Sequence, residues 1–436
     1  MNVVESAGAP PATPFGPEPP SATPTTPDRG HGRFLGSEWS FFGLLARGAV
    51  FLMLTLGIYR FWLTTDIRRF LWGNVEIAGD SLEYTGTARE LLIGFLMAIV
   101  LLLPINGLIF LATFAPGLLK FSGLLGFVLL AILGQFAVYR ARRYRLTRTV
   151  YRGVRLYQTG SAWAYALRSI LWFVAMAVTL GLAYPWAVAN LERYKLRHTH
   201  YGDLTGAFAG SGTRLFFRGA LMWAIVIVPL TAGIVAALAA VDWETLAAAL
   251  SATGQHDRLT FEEIMPSIAA GIVFLAAGGG WSILAAALLY PLFRAVTMRW
   301  WLAGLRLGPI VATSHLRNGQ VYSLYLRFIG FSILFAIGAG ILGGMVLGFV
   351  NAAAKTFDLS ASLEIGQWGL ALVAYVAAML SYSAIYQATV MVRYWRLSFE
   401  TTELDGLRAI DTVKAAGTPA SAFGEGLADA LNVGGL

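Results

Sequence analysis

Cysteine is absent from this sequence of 436 residues, and charged residues are scarce. The lack of cysteine excludes disulfides, iron–sulfur clusters, thiolate zinc sites and cysteine nucleophiles. Charged residues make up 13% of the chain and hydrophobic residues 57%, whereas a soluble domain carries about 25% charged residues to cover its surface. Much of the surface must therefore face something other than water, and the composition predicts a polytopic membrane protein.

Sequence patterns of common catalytic sites are also absent. The chain has no GxSxG, P-loop or HExxH pattern, so we expect neither an enzyme nor a bound cofactor. His198 and His200 alone are too few to complete a zinc site, and we expect no metal. Residues 338–343 match GxGxxG, but they lie inside an apolar stretch rather than between a strand and a helix. This region instead predicts a helix face that lets another helix approach closely, formed by Gly340, Gly344 and Gly348.

Long apolar stretches occupy most of the chain between two polar ends. Residues 1–33 are rich in proline and polar residues and predict a disordered tail, and residues 401–436 predict a polar C-terminal tail. Between them, residues 34–400 form the predicted membrane domain. Most of its apolar stretches are long enough to cross about 30 Å of hydrocarbon as helices, so the sequence predicts an all-α polytopic membrane protein. The eight stretches lie near 41–59, 91–115, 117–139, 164–186, 215–240, 267–292, 323–350 and 366–392.

The basic residues indicate how many of these stretches span the membrane. The net charge is +8, and lysine and arginine concentrate on the cytoplasmic side of membrane proteins. If all eight stretches span, the basic residues divide almost evenly between the two sides. If 41–59 and 164–186 are re-entrant or interfacial, six spans remain, and 29 of the 32 basic residues share one side with both termini. We therefore expect six spans, cytoplasmic termini and a periplasmic loop at 242–263. The alternative is seven spans, with 41–59 crossing and the N-terminal tail outside.

An internal repeat relates the two short stretches to each other. Gly-Ser-x-Trp ends at Trp39 and at Trp163, and Thr-Leu-Gly begins sixteen residues later in both copies. Self-similarity of this kind indicates repeated structural units. The polar part of a unit predicts a helix over 59–72 and a short hairpin over 74–86, and we expect such helix-hairpin inserts on the cytoplasmic face. The predicted units are 39–139, 163–292 and 322–396.

A segment rich in arginine follows the third apolar stretch. It contains seven arginines and no acidic residue, with tyrosines interleaved. Basic clusters next to a membrane span attract anionic headgroups, so we expect the lipid bilayer as a partner, with either a topology anchor or an anionic-phospholipid site here. We expect no nucleic acid, because membrane anions lie beside this segment. The arginines are Arg140, Arg142, Arg143, Arg145, Arg148, Arg152 and Arg155.

Polar side chains are rare within the apolar stretches. Asn106, Gln135 and Gln387 are the main exceptions, and no carboxylate lies at mid-depth. Ion-coupled carriers usually need an intramembrane carboxylate or histidine, whereas channels and facilitators do not. A polar cavity near one of these three residues would favour passage of a small solute, and a sealed apolar core would favour a structural or lipid-interacting envelope protein.

Several short motifs resemble those of the YjgN family, bacterial inner-membrane proteins that carry a domain of unknown function. The motifs are TLGIYRFW at 55–62, RRFLW at 68–72, YTGTARELLIGF at 84–95 and YPW at 184–186. The resemblance covers roughly residues 34–400. It implies a multi-pass protein of a bacterial inner membrane, and it implies no activity and no functional residue.

Overall fold

The computed structural model describes residues 26–112, 114, 122–251, 261–357 and 360–433. Most of the predicted tail at 1–33 and parts of two apolar stretches lie outside these residues. The helices are α1 (Glu38–Leu54), α2 (Arg60–Gly73), α3 (Ala88–Ala112), α4 (Ser122–Thr147), α5 (Ala162–Val178), α6 (Tyr184–Arg197), α7 (Gly212–Ala240), α8 (Trp243–Ser251), α9 (Phe261–Gly304), α10 (Asn318–Phe357), α11 (Ser360–Tyr386), α12 (Val392–Glu400) and α13 (Phe423–Ala430). A π-helical segment, Gln387–Met391, joins α11 to α12, and a 3₁₀ segment spans Leu407–Thr412.

Short antiparallel strands form one sheet that closes on itself. The strands are β1 (Arg29–His31), β2 (Arg33–Phe34), β3 (Val75–Ile77), β4 (Asp80–Tyr84), β5 (Thr149–Tyr151), β6 (Val154–Gln158), β7 (Thr199–Tyr201), β8 (Leu204–Phe208), β9 (Leu305–Leu307), β10 (Ile310–Ser314) and β11 (Thr402–Asp405). Their order is β1-β11-β10-β9-β8-β7-β6-β5-β4-β3-β2. The two edge strands, β1 and β2, are separated only by Gly32, so one stretch of chain pairs with β11 and with β3. We call this closed sheet the strand ring.

The strand ring consists of five hairpins with the same backbone pattern. Four are consecutive in sequence, and the fifth pairs β11 with the N-terminal strand. In every unit, the residue directly after one strand donates its backbone N–H to a carbonyl at the C-terminal end of the helix that precedes the adjacent strand. The N···O distance is 2.8 Å in all five units. The identical bonds show a five-fold recurrence of local structure. They join Leu35 to Asn74, Thr85 to Arg148, Thr159 to His198, Ala209 to Gly304, and His315 to Thr401.

An arginine recurs six residues before the first strand of each hairpin. Its guanidinium reaches across the hairpin to the start of the next helix. In four units it donates to the carbonyl of the glycine that precedes the N-cap of that helix. In the remaining unit, Arg299 donates to Asn318 Oδ1. We call these five residues the hairpin arginines. The four glycine contacts are Arg69 to Gly86 at 3.2 Å, Arg143 to Gly160, Arg193 to Gly210 at 2.9 Å, and Arg396 to Gly36 at 2.6 Å.

Five pairs of helices leave the strand ring and return to it, whereas α8 lies in the connection between α7 and α9 and α13 follows the last strand. The strand before each helical pair is hydrogen-bonded to the strand after it, so the pair must run out and back on one side of the ring. Within the described residues, six helices are long and apolar enough to cross a membrane, and they form three of the pairs. This confirms the predicted all-α polytopic class with six spans. The candidate spans are Ala88–Ala112, Gly123–Thr147, Gly212–Ala240, Ile268–Gly304, Asn318–Ala352 and Gly369–Glu400.

The two remaining pairs, α1–α2 and α5–α6, are shorter. Helices α1 and α5 have 17 residues each, about 25 Å at 1.5 Å per residue, and both end at Thr-Leu-Gly. Leu56 and Gly57 adopt positive φ of 50° and 91°, and the Gly57 N–H donates to the Leu52 carbonyl over 2.8 Å. This pattern is a Schellman turn, which ends a helix and lets the chain reverse. Helix α2 therefore returns to the ring, as expected for an apolar stretch that is re-entrant or interfacial.

Apolar side chains from all five hairpins fill the strand ring. Tyr151, Tyr201 and Ile310 pack there with Leu407 and Ile410 of the 3₁₀ segment. Burial raises the pKa of Tyr201 to about 12, which is consistent with a dry interior. The segment that follows β11 therefore plugs the ring.

Both chain ends differ from the sequence expectation of polar tails. Residues 29–34 complete the strand ring, because their backbone groups satisfy the two open sheet edges. At the other end, 402–405 is a strand, and α13 packs between α3 and α4. Alternation and helix periodicity over so few residues are too weak to reveal either element, since the pairing partners are distant in sequence.

Candidate functional site

Of the three intramembrane polar residues singled out in the sequence, one lines a polar cavity. The Asn106 amide donates to the Leu102 carbonyl of its own helix over 2.9 Å. Gln135 Oε1 accepts from Ser169 Oγ over 2.8 Å, linking α4 to α5. Gln387 Nε2 donates to Ser383 Oγ over 3.2 Å, whereas its Oε1 is buried and has no hydrogen-bond partner among the described residues. Among these three residues, Gln387 is therefore the one with a buried polar atom that has no described partner.

The polar cavity has a volume of about 240 Å³. Helix α2 supplies one wall, and the π-helical segment and α13 face it. Gln387 begins the π-helical segment, and such interruptions of α-helices occur often at functional sites. The lining residues are Arg60, Phe61, Leu63, Thr64, Ile67, Arg68, Leu91, Gln387, Glu425 and Asp429.

A buried ion pair lies in the wall of this cavity. The side chains of Arg68 and Glu425 are only 3% and 8% exposed, and Arg68 Nη2 donates to Glu425 Oε1. Arg68 Nη1 also donates to the Tyr84 hydroxyl over 3.1 Å. Arg145 lies 3.8 Å from the second carboxylate oxygen of Glu425. Two guanidinium groups thus share one carboxylate, which makes this end of the cavity electropositive.

A second ion pair joins Arg60 to Asp429 at the other end of the cavity. The Arg60 guanidinium also lies over the rings of Phe61 and Phe95, 5.2 and 4.9 Å from their centroids. Aromatic faces attract cations through their quadrupole. These contacts stabilise an arginine that stands at the turn of the re-entrant pair, far from the strand ring.

Helix α13 is seated by close backbone contact and by apolar side chains. Gly426 lies against the backbone of Gly94 with no room for a Cβ between them. Leu427 and Ala428 are buried with Ala98 and other small residues of α3 and α4. Small residues allow helices to approach closely, so the glycine and alanine content of this short helix determines where its two carboxylates lie.

The side chains of the arginine-rich segment contact other residues of the same chain. Its arginines lie on α4 and on the hairpin β5–β6, and their partners come from six elements and from the loop before α5. Anionic-lipid binding by this segment stays a prediction, and the structure adds a second role in joining elements. Arg140 lies against Gly424, Arg142 donates to Thr199 Oγ1 over 2.8 Å, Arg143 binds Gly160, Arg145 is near Glu425, Arg148 pairs with Glu90 at 2.8 Å, Arg152 pairs with Asp80 and Asp411 at 2.5 and 2.9 Å, and Arg155 donates to the Thr147 carbonyl over 2.5 Å.

The predicted glycine face of α10 has no neighbour within the described part of the chain. A Cβ on Gly340, Gly344 or Gly348 would meet no described atom within 4 Å. Close packing of this face against another helix of the same chain is therefore not found among the described residues.

Sequence reasoning missed four charged residues of the cavity: Arg60, Arg68, Glu425 and Asp429. A signal for two of them is present, because Glu425 and Asp429 are four residues apart in a stretch of small and apolar residues, which places both on one face of a helix. The arginines gave no such signal, since they lie among other basic residues of α2.

A second cavity of about 390 Å³ is almost entirely apolar. It lies between the re-entrant pair α5–α6 and the spans α7 and α9, and its lining includes Tyr184, Gly219, Trp223 and Phe293. Trp223 Nε1 donates to the Leu180 carbonyl over 2.9 Å at the turn of that pair. This cavity suits an apolar group rather than a polar solute.

Three out-and-back pairs of long apolar helices on one side of a strand ring define a multi-pass helical membrane protein. Residues 29–317 match the family described as "Bacterial protein of unknown function (DUF898)". The match covers more than half of the chain, so the protein belongs to this family, which is the YjgN family that the sequence motifs resemble. No curated protein and no solved structure matches the chain.

Proposed function

We propose that this protein allows a small polar solute to cross a bacterial inner membrane, and that the solute binds in the polar cavity. The observation that carries the proposal is Gln387 Oε1, which is buried without a hydrogen-bond partner among the described residues and lies in a cavity with a buried arginine. A polar group buried in an apolar layer costs free energy unless it is hydrogen-bonded. A solute that donates to this oxygen would remove that cost.

The depth of the cavity supports a role in passage rather than surface binding. Arg60 lies fifteen residues before β3, and Gln387 lies fifteen residues before β11. At 1.5 Å per helical residue, both are about 20 Å from the strand ring. Arg68 lies only seven residues before β3, so the polar lining extends from near the ring toward the interior of the helical layer. Ionisable residues at such depth usually mark a solute or ion pathway.

The orientation follows from the positions of the basic residues. The strand ring, with the N-terminal strand β1, and the arginine-rich segment lie on one side of the helices, and α13 reaches from this side in between α3 and α4. The opposite side carries the connection between α7 and α9, whose described part includes Asp242 and Glu244. By the positive-inside rule, the ring side is cytoplasmic.

Efflux from proteoliposomes tests the proposal. Vesicles containing the purified protein are loaded with a defined mixture of small metabolites, and mass spectrometry measures what leaves them relative to protein-free vesicles. We expect efflux of at least one polar compound with the wild type and a drop of tenfold or more with Gln387→Leu, since about 1.4 kcal/mol of lost binding corresponds to a factor of ten.

Gln135→Leu provides the matched control, because Gln135 is also an amide within a span but bonds to Ser169 and does not line the cavity. The control should keep wild-type efflux. Equal efflux from Gln387→Leu and wild type would contradict the assignment of the site.

The second candidate, a lipid-interacting envelope protein without transport activity, is favoured by a different observation. The apolar cavity beside Trp223 lies between a re-entrant pair and two spans, where a lipid chain could enter from the bilayer. In the same experiment this candidate predicts no efflux above that of protein-free vesicles for any compound.

A further inference from the structure

The C-terminal helix supplies the negative charge of the polar cavity. Glu425 and Asp429 lie one turn apart on α13 and face the same side. Glu425 pairs with Arg68 and lies near Arg145, and Asp429 pairs with Arg60. Without these two carboxylates, the charged side chains that line the cavity would be the arginines Arg60 and Arg68 of α2.

An arginine as buried as Arg68 requires an anionic partner. Its side chain is 3% exposed, and removing one member of a buried pair leaves an uncompensated charge that strongly destabilises a protein. If α13 leaves, another anion must take the place of Glu425. The planar guanidinium fork matches the oxygens of a phosphate group in two-point contacts, and the two guanidinium groups near the Glu425 carboxylate, those of Arg68 and Arg145, would both lie beside a phosphate in its place.

Helix α13 is attached so that it can leave without opening the strand ring. Leu407 and Ile410 hold the preceding segment inside the ring. Between this plug and α13, residues 414–419 are all exposed and form neither helix nor strand. Helix α13 has eight residues, and its departure would break its contacts with α2, α3 and α4 and leave the strand pairing of the ring in place.

We propose that α13 is a removable occupant of an anion site, and that a ligand carrying a phosphate group competes with its Glu425 carboxylate for Arg68 and Arg145. The inference deepens the proposed function, because it assigns a charge and a chemical class to the solute of the polar cavity. A phosphate group is carried by soluble phosphate esters and by phospholipid headgroups. The arms of the test separate these two sources.

The first measurement is the affinity for inorganic phosphate of the full chain in detergent, by isothermal titration calorimetry. The double variant Glu425→Gln with Asp429→Asn keeps the shape of α13 and removes its charges. When a site is open for only a fraction of the time, the apparent dissociation constant equals the intrinsic one divided by that fraction. Weakening α13 raises this fraction, so we expect at least tenfold tighter apparent binding of phosphate.

The matched control is Glu403→Gln with Asp405→Asn, which removes two paired carboxylates from β11 of the strand ring. It changes the net charge equally but should leave phosphate affinity as in the wild type. Equal tightening in both double variants would show a general charge effect and would overturn the proposal.

The second measurement uses the wild-type charges and does not depend on the folding of the double variant. The chain has no cysteine, so Ala428→Cys reports on α13 alone. Ala428 is fully buried, and we expect slow maleimide labelling that phosphate in detergent accelerates at least fivefold. Ala416→Cys, in the exposed linker, should react with maleimide at the same rate with and without phosphate.

The same labelling in nanodiscs separates the two ligand sources. Acceleration by inorganic phosphate supports a soluble phosphate compound, and acceleration in phosphatidylglycerol relative to phosphatidylcholine supports a headgroup. If neither condition alters labelling of Ala428→Cys, the proposal is overturned. If phosphate competes with α13 but no solute leaves the proteoliposomes, this inference stands and the proposed transport function is wrong. If solute efflux occurs, is the same in the double variant and is not accompanied by competition, the transport function stands and this inference is wrong.

Discussion

Single arginine side chains tie each hairpin of the strand ring to the helix that follows it. Each hairpin arginine lies six residues before a strand. Four of them donate to the same kind of acceptor, the carbonyl of the glycine that precedes an N-cap. A charged donor to a backbone carbonyl contributes about 1.5–3 kcal/mol when it is well formed. Arg143 belongs to this set, so one of the arginines that we predicted from sequence as a lipid or topology anchor has a structural contact.

Arg193→Gln should lower the free energy of unfolding by about 1 kcal/mol, a reduced value because the side chain is exposed to solvent. The lost contact is the 2.9 Å hydrogen bond to the Gly210 carbonyl. Arg197→Gln is the control, since it removes the same charge from an exposed position of α6. It should change the free energy of unfolding by less than half as much as Arg193→Gln. Unfolding followed by circular dichroism during detergent titration measures both. Equal shifts would show that only charge, and not the hairpin contact, matters.

At the scale of elements, the Thr-Leu-Gly turns end the two shorter apolar helices and reverse the chain. Leu180 and Gly181 repeat the geometry of the first turn, with φ of 51° and 85°, and the Gly181 N–H donates to the Met176 carbonyl over 2.7 Å. A left-handed conformation costs an L-residue about 1–2 kcal/mol, so glycine at the second position limits the strain to the leucine. The turn thereby converts a 17-residue apolar helix into one arm of a re-entrant pair.

Gly181→Ala should therefore destabilise the protein by about 1 kcal/mol, because a Cβ is disfavoured at φ of 85°. Gly219→Ala should instead stabilise the protein. This glycine lies inside α7, where a Cβ would meet no described atom within 4 Å. Alanine favours the helix over glycine by up to about 1 kcal/mol. Thermal midpoints of the two purified variants check the difference in sign. A stabilised Gly181→Ala protein would contradict a left-handed turn at this position.

At the scale of the whole molecule, the closed strand ring fixes the topology of every helical pair. Each pair begins and ends at neighbouring strands, so no single helix can change its number of crossings without breaking the ring. An odd number of spans, such as the seven-span alternative, would place neighbouring strands on opposite sides of the membrane. The ring therefore requires an even number, and the six candidate spans satisfy this requirement.

Cysteine labelling in cells measures which side the ring occupies. Ala247→Cys lies in α8, at the far end of the helices, and Ala416→Cys lies in the linker beside the ring; both positions are exposed. An impermeant thiol reagent should label only Ala247→Cys in intact spheroplasts, and both after lysis. Labelling of Ala416→Cys before lysis would reverse the proposed orientation.

Sequence patterns predicted elements whose signal is local. Apolar stretches of about 20 residues indicate spans by themselves, and the alternation in 75–84 with Gly79 at a turn indicates the hairpin β3–β4, which the structure contains. Gln387 was found because an amide stands out among apolar neighbours. Its cavity partners Glu425 and Asp429 were not found, since they belong to a helix more than thirty residues later whose position depends on packing against α3 and α4.

The sequence by itself determined the membrane class, the six spans and the two shorter apolar helices, because hydropathy, length and charge act along the chain. Only the tertiary structure decided that five hairpins close into one ring and that the N-terminal strand completes it, because hydrogen bonds between strands join residues hundreds of positions apart. The same holds for the polar cavity. Arg60 and Arg68 are two basic residues among many until the fold brings the carboxylates of α13 to them, and burial then makes the pairing necessary.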